Sequence, residues 1–280
     1  IGGNFIPSEN IGEVLNQGID ACVNWNDKVG EDFTYNLGLN ITFTKNKLRK
    51  TNELSNIEDY RKSIGQPTSA IFGWQSQGLF GKDVAIAGHP FQSFGNYQVG
   101  DIAYADLNND GMVDNNDQTR IGQSFPKTTL GVDVTLNYKG FGLYILGTAT
   151  TGVTQMLTST YYWNKGLDGY SVLAEERYHP VNNPTGTQPR LTTTSGVNNY
   201  RNSTFWTKNG SFFRLKNVEL SYTLNNNSKK GIGKNYKFFV RGANLFVLSG
   251  IKELDPEQML AGISNYPVYR TITGGVSINF

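Results

Sequence analysis

Apolar and polar positions alternate over several long stretches of this chain. From Thr128 onward, Leu130, Val132, Val134, Leu136 and Tyr138 alternate with Gly131, Asp133, Thr135 and Asn137, the period of a pleated strand with one apolar and one polar face. Beyond Lys139 and Gly140, the run from Phe141 to Thr151 continues as an uncharged, apolar-rich strand. Earlier in the chain, Phe33, Tyr35, Leu37, Leu39, Ile41 and Phe43 alternate with Thr34, Asn36, Gly38, Asn40, Thr42 and Thr44. Before them, Leu15, Ile19, Ala21, Val23 and Trp25 oppose Asn16, Gly18, Asp20, Cys22 and Asn24. Further on, Phe213 and Leu215 give way to Val218, Leu220, Tyr222 and Leu224, a change of parity that predicts a β-bulge near Lys216 and Asn217. Tyr236, Phe238, Val240 and Gly242 then oppose Lys237, Arg241 and Ala243, and the chain closes on Ile272, Gly274, Val276, Ile278 and Phe280 against Thr271, Thr273, Gly275, Ser277 and Asn279.

Seven strands are thus predicted, near residues 14, 33, 128, 141, 211, 235 and 270. A strand of a soluble sandwich needs about 5 or 6 residues, whereas one crossing a bilayer at a tilt needs roughly 9 to 11. These have the longer measure. Short turns alternate with long loops over 45–127, 151–203 and 249–269, so the predicted fold is all-β, a transmembrane antiparallel β-barrel with its long loops extracellular. Within the first loop, Asn52 to Ser63 reads as a short helix capped by Ser55 ahead of Glu58, and 70–80 and 98–105 read as short strands. Leu37, Leu39, Ile41, Val132, Val134, Val276, Ile278 and Phe280 are the expected membrane-facing set, and Asn36, Asn40, Asp133, Thr135, Lys237 and Arg241 the lumen-facing set. Bacterial single-chain barrels have even strand numbers, so further strands are expected from sequence upstream of Ile1 or from another chain. Ile1 is followed by no charged region and no apolar run of a signal peptide, and the lack of an initiating Met suggests a piece of a longer precursor.

Composition narrows the classes. The 280 residues suffice for one large β domain or two modest ones, and no apolar run approaches the roughly 18 residues of a membrane helix. That excludes a helical membrane protein but not a barrel, whose lumen and loops dilute bulk hydropathy. A formal net charge of +2 with no basic tract gives no sign of nucleic acid as a partner. The single cysteine, Cys22, cannot form an intrachain disulfide and reads as a space-filling side chain.

The sharpest chemical motif is DLNNDGMVDNND, Asp106 to Asp117. Read as a twelve-position calcium loop, it offers Asp106, Asn108, Asp110, the Met112 carbonyl, Asp114 and Asp117 at positions 1, 3, 5, 7, 9 and 12, with Gly111 at the sharp turn. Hard oxygens at alternating positions suit a structural Ca²⁺, the expected cofactor. Two departures are evident: position 12 is Asp rather than Glu, and the flanks read as strand and loop rather than helices. The competing reading is an Asx-rich turn that caps backbone groups without metal. No G-x-S-x-G or H-E-x-x-H occurs, both histidines (His89 and His179) fall in loops, and Glu175 and Glu176 near His179 read as solvated carboxylates, so no enzymatic activity is expected. Tyr161, Tyr162, Trp163 and Trp206 read as interface-girdle aromatics, with sugar stacking as the alternative.

Several of these segments together carry a family resemblance. GDIAYADLNNDGMVDNNDQTRIGQSFPKTTLGVDVTLNYKGFGLYIL (Gly100 to Leu146), GSFFRLKNVELSYTL (Gly210 to Leu224), VRGANLFVLSG (Val240 to Gly250), ENIGEVLNQGIDACVNW (Glu9 to Trp25) and the terminal strand resemble the C-terminal portion of SusC/RagA-type TonB-dependent outer-membrane transporters. The resemblance implies a 22-stranded barrel around a plug domain that this chain does not contain. It also implies a Bacteroidetes-type Gram-negative outer membrane, a SusD-like lipoprotein closing the barrel from outside, the TonB complex as energy source through the missing plug, and an oligosaccharide or peptide as the imported nutrient. A non-transporting SusC-like structural subunit and a secreted calcium-binding β domain are the alternatives.

Overall fold

A computed structural model describes residues 10–167, 169–193, 198–225, 235–258 and 266–279. Phe280, expected on the membrane face, lies outside the described residues. The seven predicted strands form one antiparallel sheet in simple sequential order. They are β1 (Glu13–Val29), β2 (Phe33–Lys50), β3 (Thr128–Tyr138), β4 (Phe141–Thr151), β5 (Phe212–Asn225), β6 (Asn235–Ser249) and β7 (Thr271–Asn279). At about 3.4 Å per residue an eleven-residue strand spans roughly 37 Å, which at a barrel's tilt covers the roughly 25 Å apolar band of an outer-membrane wall.

The connections alternate as the sequence suggests. At one end β3 and β4 are joined by the two-residue turn Lys139 and Gly140, whose φ values of 45° and 87° are both positive. That is the backbone of a type I′ hairpin, and its twist matches that of the strands it joins. Lys139 holds the turn against the neighbouring hairpin through Asp32 at 3.3 Å. At the opposite end lie the long connections, and β2 runs to Lys50, five residues past the predicted start of the first loop. The pairing shift between Leu215 and Asn217 is the predicted bulge, and it lets two apolar runs of opposite parity share one face.

The long connections build a second body. Short two-stranded sheets pair Ala70–Gly73 with Thr119–Gln123, Ser76–Leu79 with Ile102–Tyr104, and Thr154–Met156 with Thr207–Asn209. Among the described residues, the core cluster of Trp74, Leu79, Phe94, Ile102, Tyr104, Val113, Leu157, Tyr162, Tyr178, Trp206 and Ile251 comes wholly from these connections. The molecule is therefore an open wall carrying a cap with its own core.

Three expectations need correction here. The helix over 52–63 reduces to one 3₁₀ turn, Asp59–Arg61, capped at Glu58 without a side-chain bond. Glu53 instead accepts the Ser63 and Ile64 amides, and Arg61 reaches Asn116 across the cap, so tertiary bonds override the local helix signal. Tyr162 and Trp206 neither join a membrane girdle nor present rings for stacking, being 3% and 2% exposed in the cap core, and the half-buried Tyr161 and Trp163 pack against that core. Cys22 is exposed and fills no packed space; its sulfur accepts a hydrogen bond from the Asn24 amide at 3.3 Å.

Candidate functional site: the polar face of the wall and its cap

Register fixes which side chains share a face. Leu37 lies opposite Val134 and Leu39 opposite Val132, while Asn36 lies opposite Thr135 and Gly38 opposite Asp133. Strand β4 continues both rows, with Ile145 beside Val134 and Tyr144 beside Thr135. Tyr144 in turn faces Glu219, and Glu219 faces Arg241. At the far edge Val276 and Ile278 pair with Phe238 and Tyr236, in the apolar row. The expected sets thus separate cleanly: Leu37, Leu39, Ile41, Val132, Val134, Val276 and Ile278 on one side of the sheet, and Asn36, Asn40, Asp133, Thr135, Lys237 and Arg241 on the other. Among the described residues, no second sheet covers the apolar row: Leu37, Val23, Trp25, Val240 and Val276 are all exposed. Single exposed apolar residues need no explanation, but a continuous row across seven strands marks a surface that meets something apolar.

Part of the polar face carries its charges in paired form. Glu219 receives Lys237 Nζ at 2.7 Å and both Arg241 Nε and Nη2, at 2.8 and 2.5 Å, so one carboxylate bridges two cations on the adjacent strand. Sequence alternation placed Lys237 and Arg241 but missed Glu219, whose position after the bulge was the available signal. Nearer the cap, Arg214 is almost fully buried and meets Asp255 at 2.7 Å and Glu257 at 3.5 Å, tying the β5 end of the wall to the segment after β6. Around Glu219 and Arg214 the polar face is thus an ion-paired wall.

The cap is closed by side-chain amides standing in for backbone. Gln92 accepts the Tyr104 amide at 2.7 Å and donates to the Ile102 carbonyl and to Asn198. Asn199 accepts the Ile102 amide at 2.9 Å and donates to Asp101, which is also paired with Arg190 at 2.8 Å. Trp206 Nε1 donates to the Asn199 carbonyl, and Tyr200 OH to the Asn164 carbonyl. Every buried amide here has a partner, the condition under which a polar network rigidifies a core. Burial, with the negative charge of Asp101 adding to it, pushes the Tyr200 phenol up to about 12.

Within the cap, the Asp106 to Asp117 loop uses its oxygens on its own backbone. Asp106 accepts the Asn109 and Gly111 amides, Asn108 the Asp110 amide, Asp110 the Met112 amide and Asp114 the Asn116 amide. Asp117, fully buried, accepts Leu107 N and Asp114 N at 2.7 Å each. Met112 lies in a two-residue strand paired in parallel with Phe91 and Gln92, and Gly111 takes the positive φ of 89° that its turn requires. Among the described residues, no three His, Cys, Asp or Glu side chains converge as a cation site needs. The residues as placed make the backbone-capping bonds of the Asx-turn reading. Glu175, Glu176 and His179 also stay apart in role: Glu176 accepts the Thr187 hydroxyl, while His179 Nδ1 accepts the Val181 and Asn182 amides.

Comparison with known proteins fits this geometry. No family model matches the chain. It is 26% identical to TonB-dependent receptor P26 of Formosa agariphila over 97% of its length, and 26% identical to TonB-dependent receptor SusC of Bacteroides thetaiotaomicron over 100% of it. The chain spans only 30% and 28% of those proteins. Among solved structures, it superposes on the RagAB peptide transporter with a TM-score of 0.69 at 18% identity, covering 96% of this chain and 30% of that one. The open-open state of the RagAB peptide importer gives 0.70 at 18% identity over 97% and 29%. Along its whole length the chain is thus similar to a portion of SusC/RagA-type TonB-dependent transporters, and it shares their fold.

Proposed function

We propose that this chain is part of the wall and outer mouth of an importer in the outer membrane, taking up oligosaccharides or peptides. The observation that carries the reading is the two-faced sheet: one side is a continuous apolar row, the other a polar row with paired charges, and both edge strands are free to continue into a larger barrel. The apolar row meets hydrocarbon, the polar row surrounds a plug contributed by another part of the protein, and the cap faces the cell exterior. There the cap meets the incoming nutrient and a SusD-like lipoprotein lid, and the TonB complex supplies energy through the plug. No covalent chemistry is assigned to the chain; its residues bind, line and exclude. RagAB is a peptide importer and SusC bears the name of a receptor, so two substrate classes are in play and uptake decides between them. Deleting the whole gene in its host and supplying labelled oligosaccharides and peptides separately is expected to abolish uptake of one class and spare the other. Unchanged uptake of both would refute the importer reading.

A further inference from the structure

A cleft of about 360 Å³ opens where the wall meets the cap. Two hydrogen-bonded points bound it: the Thr44 amide donates to the Lys127 carbonyl on one side, and Leu48 pairs with Gly65 and Gln66 on the other. Between them β2 has no strand partner on its cap side, so the cleft is a gap in the sheet. Lys45, Lys47, Arg120 and Lys127 line it, and no carboxylate does. Elsewhere several cations have acidic partners, as at Arg49, Lys139, Arg190, Arg214, Lys237 and Arg241. Among the described residues, none of the four cleft cations has an acidic partner.

Two further observations show a prepared site. Arg120 is held by three neutral acceptors, Gln66 Oε1 at 2.9 Å, Gln123 Oε1 at 3.0 Å and the Gly122 carbonyl at 3.4 Å. A guanidinium has five N–H donors, so two remain unspent on a fixed fork. The Ser69 hydroxyl, on the cleft lining, is buried and has no hydrogen-bond partner. Four like charges gathered without a counter-charge repel one another, and a bound anion relieves that repulsion.

We propose that this seam binds a phosphate-type oxyanion, carried by a lipid headgroup or by a soluble ligand. Position favours the headgroup. The register of β1 and β2 runs unbroken from Phe43 opposite Ile19 to Lys47 opposite Leu15, so Lys45 and Lys47 continue the row of Leu37, Leu39, Ile41 and Phe43 toward the cap. Phe125, 70% exposed, lies beside them. Basic side chains just beyond an apolar row, next to an exposed aromatic, are placed at headgroup depth. This preference for the headgroup rests on the apolar row facing hydrocarbon; the oxyanion site itself does not.

The test compares the complete receptor with its K45Q/K47Q/K127Q variant, which leaves Arg120 and its frame in place. In zwitterionic detergent, calorimetry with inorganic phosphate reads the soluble arm. Native mass spectrometry after exposure to mixed phosphatidylglycerol and phosphatidylcholine reads the lipid arm. The wild type is expected to bind in at least one arm and the variant to bind at least roughly 10-fold more weakly there. Loss confined to phosphatidylglycerol assigns the site to a headgroup, and loss confined to inorganic phosphate assigns it to a soluble anion. Equal behaviour of the two proteins in both arms overturns the site. Quenching of Trp25 by brominated acyl chains, scored against W25F, separately reads whether the apolar row meets lipid.

Discussion

The wall and the cap are made from one chain by opposite means. In the wall, backbone ladders hold long strands together, and apolar side chains such as Val23, Trp25, Leu37, Val240 and Val276 stay exposed. In the cap there are only short ladders, yet Trp74, Tyr104, Tyr162 and Trp206 are buried around amides that replace missing backbone partners. The difference teaches that a barrel wall takes its apolar contacts from outside the chain, whereas a loop body must supply its own. The same substitution therefore has different consequences in the two regions.

The largest contrast is expected from truncating large apolar residues. Trp206→Ala should cost the cap about 3–5 kcal/mol in thermal unfolding, because the cavity cannot fill and the Asn199 carbonyl loses its donor. Leu39→Ala on the open row should cost well under that, and equal losses at the two sites would break the comparison. Next in size, Val134→Arg should weaken insertion into lipid vesicles by about 2–4 kcal/mol if Val134 sits near mid-bilayer, while Thr135→Lys on the opposite face is tolerated. A wall indifferent to face would contradict the two-sided reading.

A pH test sharpens the cap side. Burial raises the Tyr200 phenol from its ordinary 10 to about 12, so the folded cap keeps a proton that the unfolded chain gives up first. The stability from that proton is complete below about pH 10 and declines as pH rises toward 12. The cap's unfolding midpoint should fall over that window, and Tyr200→Phe should blunt the fall. The smallest effect is expected from calcium. With the 106–117 oxygens already engaged by amides, calorimetry at millimolar Ca²⁺ should show little heat, and a clear binding isotherm would mean that an ion joins those hydrogen bonds.

The wall was legible because period-two alternation is a local property: Leu37, Leu39 and Ile41 against Asn36 and Asn40 state their faces without knowing their neighbours. Even the bulge at Lys216 and Asn217 showed as a slip in parity. The cap was not legible, because Asn198, Asn199 and Gln92 read as loop residues until the fold brings them to the Ile102 and Tyr104 backbone from about a hundred residues and about ten residues away respectively. Trp206 and Tyr162 likewise announced aromatic rings but not where they would be buried.

By itself, then, the sequence determined strand number, which residues share a face and the alternation of short and long connections, since each follows from spacing along the backbone. Only the tertiary structure decided that the long connections form one cored body, that Glu219 gathers Lys237 and Arg241, and that four cations meet in a gap without an acid. Those outcomes depend on contacts between residues far apart in the chain, for which no local pattern of side chains carries the information.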